Sequence, residues 1–277
     1  LLAGRTPAIV VNGYPRLLPE YGMNERFDRR TFLSAALATV AMPGALLAQP
    51  NTGEKKIEPI DLPLDKPGVW TLHFRYKPPR IVTLNGFGKD GKPEKKVVWY
   101  MWYQVYNKGK EGEKVEPVTF LPEFELVTKD LNTSHLDEPQ PFCLDQLNEI
   151  ENPQKHPNLT LQSTIAISKR PIPPTLPDAI PRVVTGAAVW TDMAEKAPKT
   201  NKFSVYVVGL SNGLATEELK DGRKLIKRKT LQINFIRPTD DNKPQITDIR
   251  PDDSNGPAEQ WVYRTASVAK PIAPKKP

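Results

Sequence analysis

Between residues 69 and 236, apolar and polar side chains alternate with a period of two, in runs rich in β-branched and aromatic residues. That is the signature of a strand with one buried face, because successive side chains of an extended chain point to opposite sides. The runs fall at 69–76, 80–84, 97–107, 118–128, 159–168, 182–190, 203–210 and 229–236. Turn formers separate them, among them Asn85-Gly86, Asp90-Gly91 and Asn107-Lys108-Gly109. Many short strands with turns between them, and no regular alternation with helices, predict an all-β chain folded as an antiparallel β-sandwich.

Asp221-Gly222 is a hairpin signal, since both residues tolerate the positive φ of a type I′ turn. Centred there, Leu214 faces Lys229 and Val207 faces Ile236, which joins 203–210 to 229–236 in one bent ribbon. Ser211-Asn212-Gly213 supplies the bend. One helix is expected over 139–151, where Phe142 or Cys143, Leu144, Leu147 and Ile150 recur at helical spacing and Asn152-Pro153 ends the pattern. The run 97–107 differs from the others. Trp99, Met101, Tyr103 and Val105 share one face, and Tyr100, Trp102, Gln104 and Tyr106 share the other. A sandwich strand ordinarily shows water a polar face. The second aromatic face therefore calls for a cover (the helix, the 171–181 loop or a chain end) or for a ligand. Tyr100, Trp102 and Tyr106 are the candidate binding residues.

Ahead of the strands, Asp28-Arg29-Arg30-Thr31-Phe32-Leu33 opens an apolar, alanine-rich run that ends at Ala48 and is broken by Pro43-Gly44. Charge, a short apolar stretch and small residues at the end form a secretory signal. Arg29, Arg30, Phe32 and Leu33 resemble the twin-arginine type of bacterial export signal, and the cut is expected after Ala48. On this reading 1–22 is sequence upstream of the true start at Met23, 23–48 is the signal and 49–66 is a linker. The sandwich domain occupies 67–240, and 241–277 is a mostly irregular extension. The apolar run is interrupted and shorter than the ~20 residues that span a bilayer, so no stable membrane insertion is expected once the signal is removed.

Composition narrows the partners. The chain has 39 basic and 32 acidic side chains; the part after Ala48 keeps a modest and dispersed positive excess, unlike the concentrated basic face of a nucleic-acid binder. The single Cys143 excludes an internal disulfide. His73, His135 and His156 have no local metal-ligand spacing, and no CxxC pair, nucleophile elbow, phosphate loop or dinucleotide fingerprint is present. Catalytic residues, a metal and a cofactor are accordingly not expected. The alternative is a hydrolase whose site is assembled from distant loops, with His135, Asp137 and His156 as its candidates.

The strand Trp99-Tyr100-Met101-Trp102-Tyr103, the later Leu121-Pro122-Glu123-Phe124-Glu125-Leu126-Val127-Thr128 and the signal-like start together resemble exported bacterial β-sandwich proteins of unknown function. The resemblance covers most of 67–239 and implies an immunoglobulin-like fold, with no catalytic residues to carry over. The expected role is a non-catalytic binding or interaction module of the periplasm or cell envelope, with an envelope glycan or another envelope protein as partner.

Overall fold

The alternation along 97–107 organises the structure, a computed structural model that describes residues 53–88, 90–109, 115–138, 140–176, 179–220, 222, 224–238 and 249–265. The predicted export signal, with Arg29, Arg30, Phe32, Leu33 and Ala48, lies outside the described residues. The aromatic strand β4 (Pro93–Tyr106) is the centre of a first antiparallel sheet. Beside it run β2 (His73–Tyr76) and β3 (Arg80–Phe87) on one side and β7 (Val183–Trp190) on the other, while β1 (Lys55–Ile57) extends β2. The second sheet contains β5 (Glu123–Thr128), β6 (Ser134–Leu136), β8 (Lys202–Val208), β9 (Leu214–Glu218), β10 (Lys224–Ile236), β11 (Arg250–Pro251) and β12 (Glu259–Thr265), with β10 at its centre. The protein is thus a two-sheet, antiparallel β-sandwich.

Its main core forms where the inner faces meet. Trp99, Met101, Tyr103 and Val105 of β4 and Phe74 and Tyr76 of β2 pack against Phe124, Phe203, Val205, Val207, Leu231, Ile233 and Phe235 of the opposing sheet. Ring pairs such as Tyr103–Phe124, 4.7 Å between centroids, and Phe203–Phe235, 5.4 Å, fill the space between layers.

A second apolar cluster lies on the other side of β4. The helix α1 (Pro141–Glu151) sets Cys143 and Leu147 against Tyr100, Trp102, Leu84 and Val189, with Leu161 beside them. The expected helix is therefore the cover for half of the aromatic outer face. Cys143 is buried in this cluster, and burial pushes its thiol up to about 11, as befits a packing residue.

Several elements differ from expectation. The run 159–168 is not a strand: it holds a 3-10 turn (Pro157–Leu159) and the short helix α2 (Thr164–Ser168), started by Ser163, whose hydroxyl accepts from Ala166 N–H. A further short helix, α3 (Met193–Lys196), follows β7. The sandwich also extends past 67–240, since β1 lies in the expected linker and β12 in the expected C-terminal extension. Segment 58–65 is tied to the second sheet by Lys229, a fully buried side chain whose ammonium donates to Ile60 O at 2.7 Å and Asp65 Oδ2 at 2.6 Å. Burial alone would raise the Asp65 carboxyl, but its bonds from Lys229 and Tyr263 hold it below the ordinary carboxylate value.

The ribbon register also differs. Near the turn, Leu214 pairs with Arg228, one residue from the expected Lys229. Further down, Val207 pairs with Leu231, not Ile236. Residues 209–213 leave the ladder to reach the first sheet, where Leu72 N–H donates to Leu210 O at 2.7 Å and Thr71 bridges Ser211. The excursion absorbs the missing residues.

Candidate functional site

The outer face of β4 changes character along its length. Tyr100, Trp102 and Tyr106 are only 1 %, 4 % and 1 % exposed, so the flat open platform that they could have formed is not there. Tyr100 and Trp102 lie beneath α1. Glu151, at the end of that helix, accepts from the Tyr100 hydroxyl at 2.7 Å, Lys77 Nζ at 2.6 Å and Arg80 at 3.0 Å, and so clamps helix to sheet. Tyr106 lies beyond the helix and is covered by the neighbouring strand. His73 stacks on its ring at 4.7 Å, and the Arg75 guanidinium lies 5.1 Å from the ring centroid. Lys77 in the same row sits over Trp102 at 4.7 Å.

This row follows from strand geometry. His73, Arg75 and Lys77 are two residues apart, so all three side chains project from the outer face while Phe74 and Tyr76 enter the core. The antiparallel pairing of β2 with β4 places His73 opposite Tyr106 and Arg75 opposite Gln104. Cations therefore cap aromatic rings along the face, a favourable use of the ring quadrupole.

Two adjoining clefts open here. The first, about 590 Å³, is bordered by Trp70, His73, Arg75, Tyr106, Lys56 and Glu58, among other residues. The second, about 380 Å³, is bordered by Arg75, Lys77, Trp102, Gln104 and Ile180, among others. Arg75 and Pro181 belong to both walls. Trp70 is partly buried against the core, and its backbone is pinned by the 209–213 excursion: its N–H donates to Asn212 Oδ1 at 2.8 Å and its carbonyl accepts from the Ser211 hydroxyl at 2.6 Å. His73 Nε2 lies 3.0 Å from Lys108 O. Its Nδ1 approaches Glu58 at 2.8 Å without hydrogen-bond alignment. Burial lowers the His73 pKa, opposed by the Lys108 carbonyl and Glu58. The Glu58 carboxyl is held low by Lys56 first, at 2.5 Å.

Sequence reasoning put Trp102 and Tyr106 at this face but missed Trp70, His73, Arg75 and Lys77 as wall residues. The period-two row at 73, 75 and 77 was the available signal. Which aromatic residues it would cap was fixed only by the β2–β4 register.

The residues of the hydrolytic alternative have separate partners. His135 Nδ1 lies 2.9 Å from Asp192 Oδ2, and its Nε2 lies 2.8 Å from Thr133 Oγ1. This chain has the order of a catalytic relay, but the imidazole is 1 % exposed and Thr133 Oγ1 also contacts Thr128 Oγ1 at 2.7 Å. It staples the β5–β6 hairpin to the start of α3. His156 is an exposed loop residue held through its backbone by Asn152. Among the described residues, no group of three or more His, Cys, Asp or Glu could hold a metal ion.

Asp137 accepts a bond from Phe124 N–H at 3.0 Å, while burial pushes its carboxyl up to about 6. Because the folded pKa is raised, the stabilisation that it brings is complete below the unfolded value near 4 and is lost as pH climbs through about 6. Asp137→Asn keeps the acceptor and removes the charge. It should raise stability by about 1–2 kcal/mol at neutral pH, after discounting for partial exposure, and leave it nearly unchanged near pH 4. Urea melts of both proteins at the two pH values measure the difference; an equal difference at both would refute the assignment.

Comparison of the chain with protein-family models, curated proteins and solved structures gives no match.

Proposed function

We propose that this protein is an exported, non-catalytic binding module of the bacterial periplasm or cell envelope, with its ligand site in the clefts beside Trp70 and Tyr106. The observation that carries the reading is Trp70, a partly buried aromatic residue that lines a cleft of about 590 Å³ and whose backbone is held by Ser211 and Asn212. Preformed concave sites with aromatic walls and a few placed polar groups are where ligands bury most of their surface. The residues of the hydrolytic alternative, His135, Asp137 and His156, have separate partners, and the His135 ring is 1 % exposed, which favours the binding reading. Export rests on the Arg29-Arg30 pattern and the apolar run after it. A single buried thiol suits a chain that completes its fold before crossing the membrane.

The test has two arms. A tagged full chain should fractionate outside the cytoplasm, and replacing Arg29 and Arg30 with Lys should retain it inside. The exported protein should be retained on insoluble envelope material, and Trp70→Ala should weaken retention at least tenfold, about 1.4 kcal/mol, with folding preserved by circular dichroism. Undiminished retention of a folded Trp70→Ala protein would overturn the site.

A further inference from the structure

The two clefts share a wall, and their charges balance. The first has Lys56, Arg75 and Lys108 against Glu58, Asp61 and Glu116; the second has Arg75 and Lys77 against Glu54 and Glu151. Because Arg75 is shared, a polyion crossing both would meet four cationic and five anionic side chains, nearly as many repelling as attracting groups for either sign of charge. A peptide docking by strand addition is also a poor fit, because it needs the backbone ladder of a free sheet edge, whereas these clefts lie over strands β2 and β4 that are already paired. What the walls offer is a mixture of donors and acceptors around partly open aromatic surface. The Lys56–Glu58 pair on the rim is exchangeable, its side chains being 52 % and 55 % exposed. Ion pairs this exposed are worth about 0–1 kcal/mol, so a ligand hydroxyl can replace one partner at little cost. Arg75, at the junction, has a buried Nε with no hydrogen-bond partner. Its guanidinium is planar and rigid, suited to adjacent hydroxyl oxygens.

Building on the binding-module reading, we infer that the ligand is an uncharged saccharide chain of several units that crosses both clefts, with Trp70 under one sugar ring and Arg75 at the crossing point. Sugar rings have an apolar face that packs on an indole and a rim of hydroxyls that are both donors and acceptors, which matches these walls group for group. A chain long enough to enter the second cleft gains contacts that a short fragment cannot make.

The experiment uses the purified full chain and three soluble probes: a hexamer and a dimer of β-1,4-linked N-acetylglucosamine, and hexagalacturonate as a polyanion of similar length. Tryptophan fluorescence and calorimetry should show the neutral hexamer binding at least about tenfold more tightly than the dimer. Its affinity should change by less than about twofold between low and high salt. Ile180 borders the second cleft and is 90 % exposed, so Ile180→Asp should fold normally. That variant should lower hexamer affinity towards that of the dimer and leave dimer binding intact. Preference for hexagalacturonate with steep salt dependence would overturn the ligand class, as would no binding of the hexamer. Equal affinity for hexamer and dimer would overturn the two-cleft path. Any of these outcomes leaves the binding-module reading standing if Trp70→Ala still releases the protein from envelope material; if that variant is retained, the underlying reading fails instead.

Discussion

Gly209→Ala should unfold this protein or cost at least about 4 kcal/mol, the range reserved for substitutions that violate backbone sterics. Gly209 has φ +92°, and an added Cβ would lie 2.1 Å from Leu121 O and 2.9 Å from the Leu121 carbonyl carbon. Both neighbours are backbone of the adjoining segment, so no side chain can rotate away. The conformation is needed because the chain leaves β8 here and turns towards the first sheet, where Leu210, Ser211 and Asn212 hold residues 70–72. Material that does fold should therefore show a displaced Trp70, visible as a shifted fluorescence maximum. Gly222→Ala is the control: its φ is +82°, but nothing lies within 4 Å of the added carbon. It should cost only about 1 kcal/mol. Denaturant melts of the two variants decide the matter, and similar stability losses would show that the close approach at Leu121 is not a constraint.

Trp102→Ala should cost about 3–5 kcal/mol, as truncation of a buried aromatic does. For a sandwich of this size that is a fall in Tm of roughly 10 °C. The ring is packed between the sheet and the cluster of Cys143, Leu147 and Leu161, and it supports the Lys77 ammonium that pairs with Glu151. Its loss removes apolar contact and loosens the clamp on α1 together. Trp70→Ala should be much milder in stability, about 1–2 kcal/mol, because that side chain is only partly buried. The two tryptophans thus separate scaffold from site. Calorimetric melting checks the contrast; near-wild-type melting of Trp102→Ala would mean that its ring is not part of the packed layer.

The two faces of β4 were legible from its residues alone, because alternation in a strand is a local property of the extended backbone. The helix α1 was legible for the same reason, its apolar residues recurring on one side. The 159–168 segment misled because a run of Leu, Ile and Ala fits a buried strand or a short helix equally well. A single hydroxyl, Ser163 Oγ on Ala166 N–H, favours the helix. At the site, Trp102 and Tyr106 stood out because aromatic residues on a supposedly wet face break the usual pattern. Trp70 gave no such warning, since one tryptophan among apolar neighbours reads as core.

By itself, then, the sequence determined the sandwich class, the inward and outward sets of β4 and the helix beside it, because these depend on spacings of a few residues. The tertiary structure decided what covers Tyr100 and Trp102, which cation caps which ring, and where Trp70 opens to solvent. The cover and the caps depend on the packing of α1 and on the β2–β4 register, and the setting of Trp70 on the 209–213 excursion, whose bonds join residues about 140 positions apart. Loop closure over such a distance costs almost the same for neighbouring registers. The simultaneous fit of Leu210, Ser211 and Asn212 against residues 70–72 favours one.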